Sequence, residues 1–328
     1  MGCADDKLGL QGGGFGGVFG WRGGWLGWLS VGVFRVEGMP ALSPSRASDF
    51  MQCPLLYRFR VIDKLPEPPT AAMARGTLVH DVLEHLFDVP AAERTQELAV
   101  SMVAPTWERM LQDRPELAGV VDAQDEVAVR GWHREATALL QRWFTLENPQ
   151  WLEPAERELY VETDLDGLTL RGYVDRLDVA ADGRMRVVDY KTGRSPGVGF
   201  ESKALFQMKF YGLVLWRMRG QVPARLQLVY LGNGDIIRFD PVEQDLLGLA
   251  RKVRALWDAI TAAAEVGEFL PSKSKLCSWC HFQQVCPAWG GTAPAIPEGA
   301  IERALDPTAG TAASDSREAA QQGASCVS

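Results

Sequence analysis

The chain has 328 residues, 46% of them hydrophobic and 23% charged, with a formal net charge of −8. These fractions belong to an ordinary globular protein and exclude a collagen-like chain or wholesale disorder, while the length allows two domains or one large domain with loose ends. The acidic balance excludes a globally basic coat for nucleic acid but not a local basic groove, because phosphate responds to the field at the site.

The first 38 residues hold 13 of the 33 glycines, set among Phe15, Phe19, Trp21, Trp25 and Trp28 with no helical or strand period. The run between Arg22 and Arg35 is 12 residues long and Gly-rich, too short to span a bilayer. Asp5 and Asp6 stand where a secretory leader carries positive charge. Residues 1–38 are therefore expected to be a disordered extension, or to lie upstream of a natural start near Met39. A folded unit is expected over 39–290, followed by an acidic, Ala/Gly/Ser/Pro-rich disordered tail over 291–328. A cytoplasmic location and no membrane partner are expected.

Within the unit, Ser43-Pro44-Ser45 caps a helix running to about residue 57. Pro66, Pro68 and Pro69 end that segment, and a second helix is expected over about 73–87. Residues 95–147 carry helical spacing with Trp107, Trp132 and Trp143 on apolar faces, which reads as a helical insertion. From residue 159 the period becomes two. Asp166-Gly167 and Asp182-Gly183 turn the chain between strands over 159–165, 168–179 and 185–190. A helix over about 201–219, strands over 225–231 and 235–239 around Asn233-Gly234, and a helix over 242–265 complete an α/β core.

Three places carry chemistry. Asp189 and Lys191 alternate onto one strand face, and Asp175 lies on the neighbouring strand, where matching registers bring two carboxylates together. Such a pair is a hard-oxygen site for Mg²⁺ or Mn²⁺, and a lysine beside it can orient a water for attack on phosphate. His80 and Glu84, four apart on the second helix, share a face, and a neutral imidazole there can join the metal site. Cys277, Cys280 and Cys286 have ferredoxin-like spacing closing on Cys-Pro, with Cys53, in a second Cys-Pro, as the fourth thiolate. Zinc is the chemical competitor, with His281 as a substitute ligand.

The motifs taken in order resemble the RecB-like nucleases of the PD-(D/E)xK superfamily, and most closely their iron–sulfur-containing exonuclease branch, to which the CRISPR adaptation exonucleases belong. They are Ser43 to Cys53-Pro54, Gly76-x-x-x-His80, Gly172-x-x-Asp175-Arg176-x-Asp178, Asp189-Tyr190-Lys191-Thr192-Gly193, Gln207-x-x-x-Tyr211 and the cysteine cluster. The resemblance implies a restriction-endonuclease-like mixed sheet flanked by helices, with a C-terminal Cys cluster. It implies that His80, Asp175, Asp189 and the Tyr190 carbonyl hold the metal, that Lys191 is catalytic with Asp189 and Asp175, and that the four cysteines hold a [4Fe–4S] cluster stapling the two ends of the fold.

Gln207 and Tyr211 match the family's substrate-side pair, and Arg176 joins them as an expected DNA contact. Arg46, Arg58, Arg60, Arg75, Arg171 and Arg194 add local positive charge, and Tyr57, Tyr173 or Tyr211 are candidates to stack bases. The expectation is a metal-dependent exonuclease acting on single-stranded or free-ended DNA in repair or recombination. The competing expectation is an iron–sulfur DNA-binding or assembly factor with a vestigial nuclease site. Cleavage polarity, pathway and any helicase, repair or adaptation partner are not legible in the sequence.

Overall fold

The computed structural model describes residues 40–197 and 201–305, so the Gly-rich start and residues 306–328 lie outside the described residues. The first strand, β1, is Ala41–Leu42, followed by α1 (Pro44–Gln52). The Ser43 side chain accepts from the Arg46 N–H at 3.4 Å, and Pro44 fills a first-turn position that needs no donor. The single helix expected through residue 57 is broken at Cys53. Proline pushes the residue before it into extended geometry, and Cys53 has φ −164 and ψ 113. Helix α2 (Pro54–Tyr57) then runs into a π-helical turn, Arg58–Ile62.

Helix α3 (Ala71–Leu86) begins at Thr70, whose hydroxyl caps the Met73 N–H at 3.2 Å, slightly earlier than the sequence pattern suggests. The helical insertion is α4 (Gln96–Ser101), α5 (Val103–Asp113) and α6 (Glu126–Leu146), the last capped by Asp125. Its three tryptophans are buried, with the Trp107 and Trp132 rings 5.0 Å apart.

Strands β2 (Glu156–Leu165) and β3 (Leu168–Val179) form a hairpin closed by Asp166 and Gly167, both at positive φ (52 and 83), as a type I′ turn requires. Next come β4 (Met185–Lys191), α7 (Glu201–Arg219), β5 (Arg225–Tyr230), β6 (Asp235–Phe239) and α8 (Glu243–Glu265), and α9 (Ala300–Leu305) ends the described chain.

The six strands form one mixed sheet in the order β1-β3-β4-β5-β6, with β2 on the other edge of β3. Pairs β1–β3 and β4–β5 are parallel and the rest antiparallel. One face packs under α1, α2, α7 and α8 through residues such as Phe50, Leu55, Phe210 and Val253. The other packs under the insertion and α3 through Leu78, Val82, Trp107 and Trp143. Val187 and Leu228 point to the first layer, and Val188 and Val229 to the second, so β4 and β5 are apolar on both faces. This is the mixed α/β sheet flanked by helices that the resemblance implies.

The last described segment crosses back to the first helices. Phe59 meets Phe282 with ring centroids 5.2 Å apart, and the Arg58 guanidinium pairs with Asp63 and donates to the Pro294 carbonyl. Ala300 is buried, and Ile296 and Ile301 pack on the core. The packed chain thus continues past residue 290, where composition places the start of the tail, because three well-spaced apolar side chains suffice to dock this otherwise polar stretch. No helix among the described residues is long and apolar enough to cross a membrane.

Replacing Trp143, fully buried beneath β4, with Ala is expected to lower unfolding stability by about 3–5 kcal/mol, read as a fall in the denaturant midpoint.

Candidate functional site

The sheet opens in the middle of β3. On one edge β1 pairs with residues 169–170 and β4 with residues 176–179, leaving 171–175 without a strand partner on that side. Where β4 leaves β3, the Tyr190 N–H donates to Asp175 Oδ2 at 2.7 Å. Asp175 therefore takes the place of a missing main-chain acceptor, and its carboxylate is fixed by backbone.

Four motif residues converge on this opening. His80 comes up from α3, with Nε2 2.9 Å from the Tyr190 carbonyl and Nδ1 3.5 Å from Asp175 Oδ2. Asp189 is buried, and its Oδ2 pairs with Lys191 Nζ at 2.7 Å. Gln207 on α7 donates to Asp189 Oδ1 at 3.0 Å and accepts from Lys191 Nζ at 2.9 Å, bridging the acid and the lysine. It also donates to the Tyr211 hydroxyl at 3.2 Å. Gly172 has a steric reason: a Cβ there would lie 2.7 Å from Tyr211 Cε1, so only glycine lets the Tyr211 ring lie against β3.

The carboxyl groups are crowded. Burial and then the neighbouring Asp189 raise the Asp175 carboxyl well above its ordinary value. Burial pulls the His80 imidazole down against the attraction of Asp189 and Glu158, which favours the neutral ring that a metal needs. Burial works against charge on Lys191, but Asp189 more than offsets it and the ammonium is raised. Two aspartates, an imidazole and a main-chain carbonyl form a hard donor set that suits Mg²⁺ or Mn²⁺.

One member of the constellation escapes the motif reading. Glu158 on β2 stands opposite Asp175, and His80, Glu158 and Asp175 each present a ligand atom within 4.8 Å of the other two. Burial and then Asp175 push its carboxyl up to about 7. The hairpin turn contained the signal, since counting outward from the Leu165–Leu168 pair reaches Glu158 opposite Asp175.

Arg176 does not lie where a DNA contact would. It is 1% exposed, forked onto both Glu147 oxygens at 2.8 and 2.9 Å, 3.1 Å from Asp178 and bonded to the Tyr190 hydroxyl. Alternation accounts for this: in β3 the residue after Asp175 points into the protein, where Glu147, just past the end of α6, meets it. Tyr57 and Tyr211 are also buried and have no face free for a base, whereas Tyr173, two residues before Asp175, is 57% exposed.

The cysteines gather elsewhere. Cys53, Cys277, Cys280 and Cys286 are free and line one cavity between α1 and the return segment. Main-chain donors point at the sulfurs, from Ser272 to Cys53 at 3.3 Å and from Ser274 to Cys277 at 3.4 Å. Among the described residues no three of these sulfurs lie within 4.8 Å of one another. Four thiolates on one tetrahedral zinc stand about 3.8 Å apart, given bonds of about 2.3 Å.

With this geometry in view, the sequence matches the description of the PD-(D/E)XK nuclease superfamily over residues 41–287. The chain belongs to that superfamily. It is a nuclease by family, and the family works with divalent metal on DNA. Among curated proteins it is 27% identical over 181 residues to the Gene 69 protein of Mycobacterium phage D29, covering 50% of this chain and 66% of the relative. It is 24% identical over 291 residues to the Gene 69 protein of Mycobacterium phage L5, covering 76% of this chain and 97% of the relative. A crystal structure from Eubacterium rectale, described as a candidate exonuclease, is similar with TM-score 0.49 and 15% identity over 74% of this chain and 87% of its own.

The Glu147–Arg176 pair gives a sharp expectation. Burial pushes the Glu147 carboxyl up, but the Arg176 and Trp143 hydrogen bonds more than offset it, so the group titrates below its ordinary value. A carboxylate depressed in the folded state stabilises at neutral pH and loses that contribution as pH falls through its folded value. Glu147→Ala should therefore lower stability by about 3–5 kcal/mol near neutral pH by stranding a buried guanidinium, with the deficit shrinking on acidification in urea titrations.

Proposed function

We propose that this chain is a RecB-like, metal-dependent exonuclease that degrades DNA from single-stranded or free ends in repair or recombination, in the cytoplasm. The observation that carries the reading is the joint placement of His80, Asp175, Asp189, Lys191 and Gln207 around one opening of the sheet. A vestigial site has no reason to keep an acid, a lysine and the glutamine that bridges them. The folded unit over 39–290, extended by the docked segment to Leu305, contains all of it.

His80, Asp175, Asp189 and the Tyr190 carbonyl are the residues that would hold the divalent cation. Bound there, the cation supplies charge stabilisation at the scissile phosphate and acidifies water. Asp189 and Gln207 fix the Lys191 ammonium so that it points at the phosphate and orients the attacking water. Asp175 keeps its place through the Tyr190 N–H, and His80 is held by the Tyr190 carbonyl, so the reacting groups are ordered before substrate arrives. Tyr173, exposed beside Asp175, offers a stacking face to a single strand.

The four cysteines fit a [4Fe–4S] cluster as a structural staple. Their sulfurs line one cavity, and four thiolates are the ligand set that such a cluster uses. Closing the ends in this way offsets the loop entropy of joining residues 224 positions apart.

End-labelled DNA incubated with Mg²⁺ or Mn²⁺ should be degraded from its ends, and circular single strands should resist. Asp189→Ala and Lys191→Ala should each slow this on the order of 100-fold or more. Full activity in both variants would sink the reading, and rapid cutting of circles would replace exonuclease with endonuclease. Anaerobically purified protein should show a broad visible absorption band that Cys53→Ser and Cys286→Ser remove; a colourless, zinc-loaded sample would overturn the cluster and leave the nuclease in place.

A further inference from the structure

Strand β2 is regular on either side of Glu158 and irregular at it. Arg157 pairs with Arg176 and Leu159 with Val174, while the intervening pair, Glu158 with Asp175, is missing from the ladder. Glu158 itself has φ +42, in the left-handed region that side chains other than glycine avoid. Two carboxylates directly opposite across antiparallel strands repel, and backbone of this kind is strained for a side chain other than glycine. Among the described residues Glu158 has neither a hydrogen bond nor a salt bridge to relieve the repulsion. What faces the two acids is His80, a neutral ligand type, in a set whose donor atoms lie within 4.8 Å of one another.

Access is consistent with a cation arriving from solvent. An open groove along α3, lined by Gly76, Thr77, Glu84 and Glu158, leads to His80, and a small inner pocket beyond it is walled by Glu158, Asp175 and Tyr190. Asp189, held by Lys191 and Gln207, is the acid of the site outside this close three-residue set.

We propose that Glu158 would be a ligand of the divalent cation, joining the His80 and Asp175 donors that it lies beside. The assignment rests on the metal-dependent reading of the site and adds to it a ligand that lies outside the recurring motifs. It also accounts for the kink: the strand departs from regular geometry at the one residue whose carboxylate must meet Asp175 around an ion.

The test is Mn²⁺ binding to the full chain, followed by isothermal titration and by the electron paramagnetic resonance of the free ion, with no nucleic acid present. Glu158→Gln should weaken Mn²⁺ binding by about tenfold or more, as loss of a ligand or its close support does. Without metal, the same variant should melt at the wild-type temperature or above it, since a repulsion is gone, and Mn²⁺ should then raise its melting temperature far less than that of the wild type. Glu158→Asp, which keeps the charge on a shorter arm, should fall between the two. Equal Mn²⁺ affinity and an equal metal-induced rise in Glu158→Gln would overturn the assignment while leaving the nuclease reading intact. Failure of the wild-type protein to bind Mn²⁺ at all would remove both.

Discussion

One main-chain N–H organises the centre of this protein. Where β4 separates from β3, the Tyr190 amide has no strand partner, and leaving it buried and unpaired costs on the order of 1–3 kcal/mol. The Asp175 carboxylate supplies the acceptor. A side chain that substitutes for backbone cannot be moved without opening the sheet, so Asp175 has a fixed position around which the other groups are arranged. The same peptide unit turns its carbonyl to His80, and the next residue is Lys191. The site is an interruption in a sheet rather than a loop placed on top of one.

Beneath this opening lies a second constraint. Arg176 is a full positive charge with 1% exposure, tolerable only because Glu147, Asp178 and the Tyr190 hydroxyl surround it. Glu147 follows the end of α6, so the helical insertion is joined to the strand that bears the acids. Trp143 donates to the same carboxylate and packs under Tyr190. The insertion thus forms a floor for the site, and both the depth and the angle of Tyr190 are set by residues far from it in sequence.

Much of this was legible in the chain and some was not, for identifiable reasons. Turn chemistry announced the hairpins, and the switch to a period of two from residue 159 announced the strands between them, so the outline of the sheet followed. The meeting of Asp175, Asp189, Lys191 and His80 followed from alternation and motif order. Arg176 misled because an arginine within a motif reads as a phosphate contact, whereas its direction depends on a partner, Glu147, 29 residues earlier. Glu158 was hidden because motifs record recurring residues, while its importance comes from register. The end of the packed unit escaped because composition averages over residues 291–305 and does not register three apolar side chains that dock.

The return of the last segment onto the first helices bears on how the protein is made. Arg58 closes on Pro294, 236 residues later, and Phe59 on Phe282, so the earliest helices finish packing only with the last part of the fold. Contacts of such long range are slow to form, and a chain leaving the ribosome presents its N-terminal part first. Through most of synthesis the apolar faces of α1 and α2 have no return segment to cover them. Closure of the fold therefore waits on residues 282–294, and nascent chains stalled before residue 294 would carry the Asp175 and Asp189 strands in an unclosed fold.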